Sequence, residues 1–141
     1  IEAGRLQCGN GLERCGRFFD GWMPNEGDAA GWGRNWQEVQ RVARDAGRDP
    51  ARLTGSMYLT LSLDEDVGVA NARLDRYLET YYSAPAAALR KRQECFAGRP
   101  ADVAAYLSGY AQAGAHHLVL RFAGDQTAHL EAIAAQRGKI A

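Results

Sequence analysis

The sequence predicts an α/β fold in which short parallel strands alternate with helices. Three observations carry the prediction. Apolar residues alternate with polar ones through Leu53–Leu63 (LTGSMYLTLSL), the mark of a strand, and run continuously through Leu118, Val119 and Leu120. Between such stretches the apolar residues recur every three to four positions, as on one face of a helix. The order strand then helix repeats four times, with strands at Ile1–Gly4, Phe19–Met23, Leu53–Leu63 and His117–Phe122. This alternation implies a parallel sheet of right-handed βαβ units. Four units suit a small open sheet or half of a (β/α)8 barrel. A complete barrel takes about 250 residues, and this chain has 141.

Taken in order, Ile1–Gly4 is the tail of an apolar strand, broken by the turn Gly9-Asn10-Gly11. Leu12, Cys15, Gly16 and Phe19 share one face of the helix that follows. Asp20-Gly21-Trp22-Met23-Pro24 ends it in an extended segment, because Pro24 disfavours helix at Met23. Asn25–Arg34 reads as a loop. Asn35 with Glu38 forms a capping-box pattern ahead of Trp36, Val39, Val42, Ala43 and Ala46, and Gly47 stops that helix. Leu53–Leu63 is the clearest strand of the chain. Asp64, Glu65 and Asp66 then set acid at a helix start, and Val67, Ala70, Leu74, Tyr77, Leu78 and Tyr81 keep helical spacing to Tyr82. Pro85–Phe96 reads as a further short helix with Arg90, Lys91 and Arg92 on a solvated face. Pro100 suits the first turn of the next helix, whose inner face is Val103, Leu107 and Tyr110 and which Gly114 ends. His116–Phe122 is the last strand. Gly124-Asp125 caps the final helix, with Leu130 and Ile133 on its apolar stripe.

Composition bounds the function. Lys+Arg and Asp+Glu both number 17, so bulk charge recruits neither nucleic acid nor an anionic membrane. No apolar run approaches a membrane span, and no signal-peptide pattern is read, so the expectation is one soluble domain over residues 1–141. Cys8, Cys15 and Cys95 lack metal-binding spacing and point to a reducing cytoplasm. A start at Ile1, within what reads as a strand, suggests a fragment or a trimmed product.

The chemistry-bearing residues sit at the C-terminal strand ends, where barrel enzymes place their sites. The glycine-rich turn before the first helix aims backbone N–H groups at one spot, at the positive end of the helix dipole, which is the construction of a phosphate site. Cys8, near that helix start, is either a reactive thiol or a small turn residue. Trp22 and Met23 either wall a cofactor ring or pack under the next loop. Arg121, charged within a buried run, needs a partner: a ligand anion at the mouth, or an acid such as Asp125. His116 and His117 point to opposite faces of a strand at its entry end and make no metal site. His129 is expected at the surface, and Tyr81-Tyr82 as a packing pair at a helix end.

GNGLERCGRFFDGWMP, a helix ending in DAGRDP, YLETYYSAP, and GRPADVAAYLSGYAQAGAHHLVLRFAGD together resemble the luciferase-like monooxygenases, the family of FMN- and coenzyme F420-dependent oxidoreductases. The resemblance runs in register through essentially the whole chain and covers the C-terminal half of a family member. It implies a (β/α)8 barrel of which this chain supplies the fifth to eighth strands. It also implies that Gln7, Cys8, Gly9, Asn10 and Gly11 hold the cofactor phosphate, through backbone N–H groups at Gly9–Gly11 and a side-chain donor from Asn10 or Gln7. The chain departs from the family at Gly4-Arg5-Leu6, where many members carry Gly-Gly or Ala-Gly. Arg5 either adds a phosphate cation or reshapes the turn.

The expected function is therefore part of a luciferase-like oxidoreductase or monooxygenase using FMN or F420 on a small organic substrate, with Trp22 and Arg121 toward the substrate. Much of the ring and substrate recognition comes from the family's first strands, so the chain alone is expected to grip phosphate without completing an active site. The rival expectation is a non-catalytic half-barrel. Its open strand edges and inner face would pair with a second copy or with a complementary half.

Overall fold

The computed structural model describes residues 11–140. The expected strand Ile1–Gly4 and the turn residues Gln7, Cys8, Gly9 and Asn10 lie outside the described residues. Helix α1 spans Gly11–Phe18, strand β1 Gly21–Trp22 and helix α2 Ala29–Asp45. Strand β2 is Thr54–Leu63, α3 Val67–Tyr82, α4 Ala86–Leu89 and β3 Cys95–Gly98. Then come α5, Pro100–Gln112, β4, His117–Phe122, and α6, Gln126–Ala134.

Among the described residues all strand pairings are parallel and all involve β2. Successive backbone groups of a strand point to opposite neighbours, and the hydrogen bonds sort accordingly. Thr54, Tyr58 and Thr60 donate to Asp20, Pro24 and Glu94, on the side of β1 and β3. The Gly55 and Leu61 carbonyls accept from His116 and Ala123, on the side of β4. So β1 and β3 lie end to end along one edge of β2, with β4 along the other.

This order dictates where the helices go. The chain moves from β1 to β2 through α2 and from β3 to β4 through α5, in the same direction across the sheet, so both helices lie on one face. From β2 back to β3 it moves the opposite way, and a right-handed crossover then requires the opposite face. The burial agrees. Met57, Leu59, Leu61 and Leu63 pack with Trp32, Trp36, Val39, Val103, Leu107, Tyr110 and Ile133 of α2, α5 and α6. Leu74 and Leu78 of α3 instead pack with Ala86, Ala123, Cys95 and Ala97 on the other face.

Several boundaries differ from those read in the sequence, each for a physical reason. Helix α2 begins six residues earlier than Asn35, with Asp28 as its cap accepting from Gly31 N at 2.7 Å. Gly31 and Gly33 each cost a helix about 1 kcal/mol, but the early start buries Trp32 completely. Glu38, freed from capping, pairs with Arg41 at 2.7 Å. The expected helix over residues 85–96 is confined to Ala86–Leu89, and Cys95–Gly98 becomes a strand. Beyond Pro24 the last residues of β2 have no β1 partner, and β3 satisfies backbone groups that burial would otherwise orphan. Phe19 and Leu130, expected on inner faces, are exposed, and the second strand shrinks to Gly21–Trp22.

Other signals hold. Gly47 takes φ +74°, with Gly47 N on Arg44 O and Arg48 N on Ala43 O, the paired bonds of a Schellman helix end. Pro100 opens α5, and Asp66 and Asp125 cap α3 and α6. Gly55 gives up its side chain to two indoles: a Cβ there would lie 2.9 Å from Trp36 and 3.0 Å from Trp32. Arg48 fastens α1 to the rest, donating to the carbonyls of Gly16 and Phe19, each at 2.8 Å. Those carbonyls belong to the end of α1, which has no intrahelical donors left for them.

Candidate functional site

Three places at or near the C-terminal ends of the strands carry polar chemistry. The first is a cleft of about 430 Å3 bounded by Leu63, Asp64, Glu65 and Arg73 on one side and Asp125, Ala128, His129 and Ala132 on the other. Its position follows from the topology. The helix after β2 lies on one face of the sheet and the helix after β4 on the other, and such divergence opens a crevice at the strand ends. Arg73 crosses it, donating to Leu63 O at 3.0 Å and to Asp64 Oδ2 at 2.6 Å. That bond, with a further one from Asp66 N, holds the Asp64 carboxyl below its ordinary range. A Cβ on Gly124, which sits at φ +116°, would lie 2.7 Å from the Arg73 chain, so only glycine lets the arginine pass.

His129, expected at the surface, is buried at 5 % exposure. Its Nδ1 lies 2.7 Å from the Asp125 carbonyl oxygen, which can only accept, so Nδ1 carries the proton. Burial pushes the imidazole below its ordinary value, with Arg73 adding to the effect. The cleft thus combines three carboxylates with one arginine and a neutral histidine, which suits neither a phosphate nor another anion. The helix ends around it are also spoken for. Asp66 accepts from Gly68 N and Val69 N, and Asp125 from Thr127 N and Ala128 N. Each of these N-termini already holds its own carboxylate.

The second place is the face of β2 and β4 on which α3 packs. Register pairs Tyr58 with Val119 and Thr60 with Arg121, so these side chains share that face. Arg121 does not pair with Asp125. Its guanidinium carbon lies 5.2 Å from the centre of the Tyr58 ring and 4.6 Å from that of Tyr81, and Nη1 donates to Tyr82 Oη at 3.4 Å. Tyr77 stacks on Tyr81 at 5.8 Å, and Tyr81 meets Tyr82 edge to face at 4.8 Å. The Tyr81-Tyr82 pair, read as helix-end packing, therefore also clasps the arginine of β4. Burial pushes the Tyr58 phenol above its usual range.

The third is the start of α1. Gly11 is its first residue, and a Cβ at that position would meet no described residue within 4 Å. Trp22 lies elsewhere. Its register with Gly55 turns it to the α2 face, where its ring sits 5.6 Å from that of Trp32. Cys15 and Cys95 are free thiols, both held above the ordinary thiol range, chiefly by burial.

No protein-family profile matches the sequence, and no curated protein matches it. Solved structures do. The chain superposes on an F420-dependent secondary alcohol dehydrogenase in complex with an F420-acetone adduct with TM-score 0.73 at 14 % identity, covering 92 % of this chain and 46 % of that one. It matches the coenzyme F420-dependent tetrahydromethanopterin reductase from Methanopyrus kandleri with TM-score 0.61 at 14 % identity, over 89 % of this chain and 46 % of the other. A riboflavin lyase with modified FMN and its substrate riboflavin gives 0.66 at 11 % identity, over 92 % and 41 %. The chain spans less than half the length of each of these structures. It has the α/β fold of the luciferase-like F420- and FMN-dependent oxidoreductases, and is the equivalent of half of their barrel.

Proposed function

We propose that this chain is the C-terminal half of a luciferase-like oxidoreductase or monooxygenase that uses FMN or F420, and that it supplies the grip on the cofactor phosphate. The observation that carries the reading is the fold match over nine-tenths of the chain to cofactor-dependent enzymes of twice its length. The grip falls to the turn Gln7, Cys8, Gly9, Asn10 and Gly11, with Gly11 at the N-terminus of α1. The starts of α2, α3 and α6 are less suited to that role. The N-termini of α2, α3 and α6 are each occupied by an aspartate of the chain itself, whereas α1 opens on a glycine. Fixed N–H groups at such an end favour a dianion without moving on binding. When bound, the flavin or deazaflavin supplies the redox chemistry. This chain's own contribution is to hold the phosphate and thereby orient the ring, with Arg121 facing the substrate.

Assembly belongs to the same reading. Among the described residues β4 is paired along one edge only, and Val119 on it is 39 % exposed. An open edge of this kind accepts a further strand, from a complementary half or a second copy.

The test is calorimetric titration of the chain with FMN and with F420 in phosphate-free buffer, for the natural sequence and for Gly11→Trp. No described residue crowds the Gly11 Cβ position, so the substitution leaves the fold intact by circular dichroism and fills the approach to the N–H groups. The expected result is saturable binding of one cofactor, weakened at least about tenfold in the variant, equivalent to the loss of one or two charge-assisted hydrogen bonds. Equal binding by the folded variant contradicts the assignment of the grip.

A further inference from the structure

Arg121 is held differently from the arginines of this chain that form ion pairs. Arg17, Arg41, Arg48, Arg73, Arg90 and Arg99 each pair with a carboxylate, whereas among the described residues Arg121 has aromatic neighbours instead. A partly buried cation with no counter-ion is costly, and a neutral side chain would clip α3 to the sheet without that cost. Aromatic rings offset part of it by accepting the flat faces of the guanidinium. Among the described residues they leave most of its rim free. Five N–H groups lie in that rim, in a fork that matches an oxyanion in two-point contact, and the bond to Tyr82 uses one. Beside the rim, Tyr81 and Tyr82 are 58 % and 38 % exposed and form a rigid aromatic wall.

We propose that Arg121, seated between Tyr58 and Tyr81, is a carboxylate subsite for an aromatic acid whose ring lies against the Tyr81–Tyr82 wall. The cation supplies a charge-assisted bidentate contact to the carboxylate, and the phenol rings supply stacking and water exclusion. This deepens the reading of Arg121 as facing the substrate, and it is independent of which cofactor is held. Three elements build the subsite: β2 and β4, which pair directly, and α3, which follows β2.

The experiment is a titration of the chain, free of any cofactor, with benzoate, benzamide and acetate, read by the side-chain 15N–1H resonance of Arg121. Benzoate is expected to shift that resonance saturably, with benzamide and acetate each at least about tenfold weaker, since one lacks the charge and the other the ring. Arg121→Gln, folded by circular dichroism, is expected to lose benzoate binding. Tyr81→Leu is expected to weaken it several-fold. Benzoate binding unchanged in Arg121→Gln, or no shift of the Arg121 resonance in the natural sequence, overturns the proposal. If the glutamine variant does not fold, the resonance in the natural sequence decides alone. Because no flavin or F420 is present, failure here leaves the phosphate grip untouched, and failure of the grip leaves this subsite standing.

Discussion

Trp32→Ala is expected to remove a large share of the stability of the domain. Trp32 is fully buried at the centre of the sheet's α2 face, its ring 5.6 Å from Trp22 and 5.9 Å from Trp36, and its indole N–H donates to the Ser56 carbonyl at 3.1 Å. Truncation to alanine opens a cavity the surrounding indoles cannot close, because Gly55 beneath them has no side chain to shift into it. Losses of this kind run to about 3–5 kcal/mol, against a total of roughly 5–15 kcal/mol for a domain. In urea, with a slope of about 1–3 kcal/mol/M, the midpoint should fall by roughly 2 M. Trp32→Phe keeps most of the area and loses the hydrogen bond, so its midpoint should lie between the two. A midpoint for Trp32→Ala within experimental error of the natural chain would show that the indole stack is not the core.

Gly16→Ala is expected to destabilise as well, although helix propensity argues the reverse. Alanine favours a helix over glycine by about 1 kcal/mol, and Gly16 sits inside α1. A Cβ there, however, would lie 2.7 Å from both the Val39 carbonyl oxygen and the Val42 Cβ of α2. Neither is the end of a flexible side chain, so the two helices must separate. The cost of overpacking, about 1–3 kcal/mol, outweighs the propensity gain. Separation also pulls the Gly16 carbonyl from Arg48. Hydrogen exchange should show the α1 amides losing protection while β2 keeps its own. Because Gly11 opens α1, the same variant should weaken cofactor binding without altering the turn. Stabilisation of α1 by Gly16→Ala would mean that the α1–α2 contact is looser than described.

The sequence disclosed much of this fold because local chemistry decides it. The alternation of Met57, Leu59, Leu61 and Leu63 against Tyr58, Thr60 and Ser62 is the two-faced strand observed. Asp66, Asp125, Gly47 and Pro100 sit where caps, stops and first turns require them. What was not legible depends on distant partners. The start of α2 was misplaced because Asn35 and Glu38 imitate a cap, while the decisive gain, burial of Trp32, comes from strands elsewhere in the chain. Strand β3 was read as helix because Pro85–Phe96 has no strong period of its own; what makes it extended is the unpaired edge of β2. His129 was expected outside, but its ring packs 5.6 Å from that of Phe122, a contact the local helical pattern does not show. Arg121 was recognised as needing a partner, but its partners are neutral rings far earlier in the chain, Tyr58 on β2 and Tyr81 and Tyr82 at the end of α3, and an acid four residues away was the nearer guess.

The most direct test of the account is whether the chain distinguishes a cofactor by its phosphate. FMN should be titrated against riboflavin, and F420 against its phosphate-free deazaflavin, in buffer without phosphate. The account predicts that one phosphate-bearing cofactor binds, that its phosphate-free counterpart binds at least about tenfold more weakly, and that inorganic phosphate competes. Equal binding of the two forms, or binding of neither cofactor by the folded chain, would contradict it.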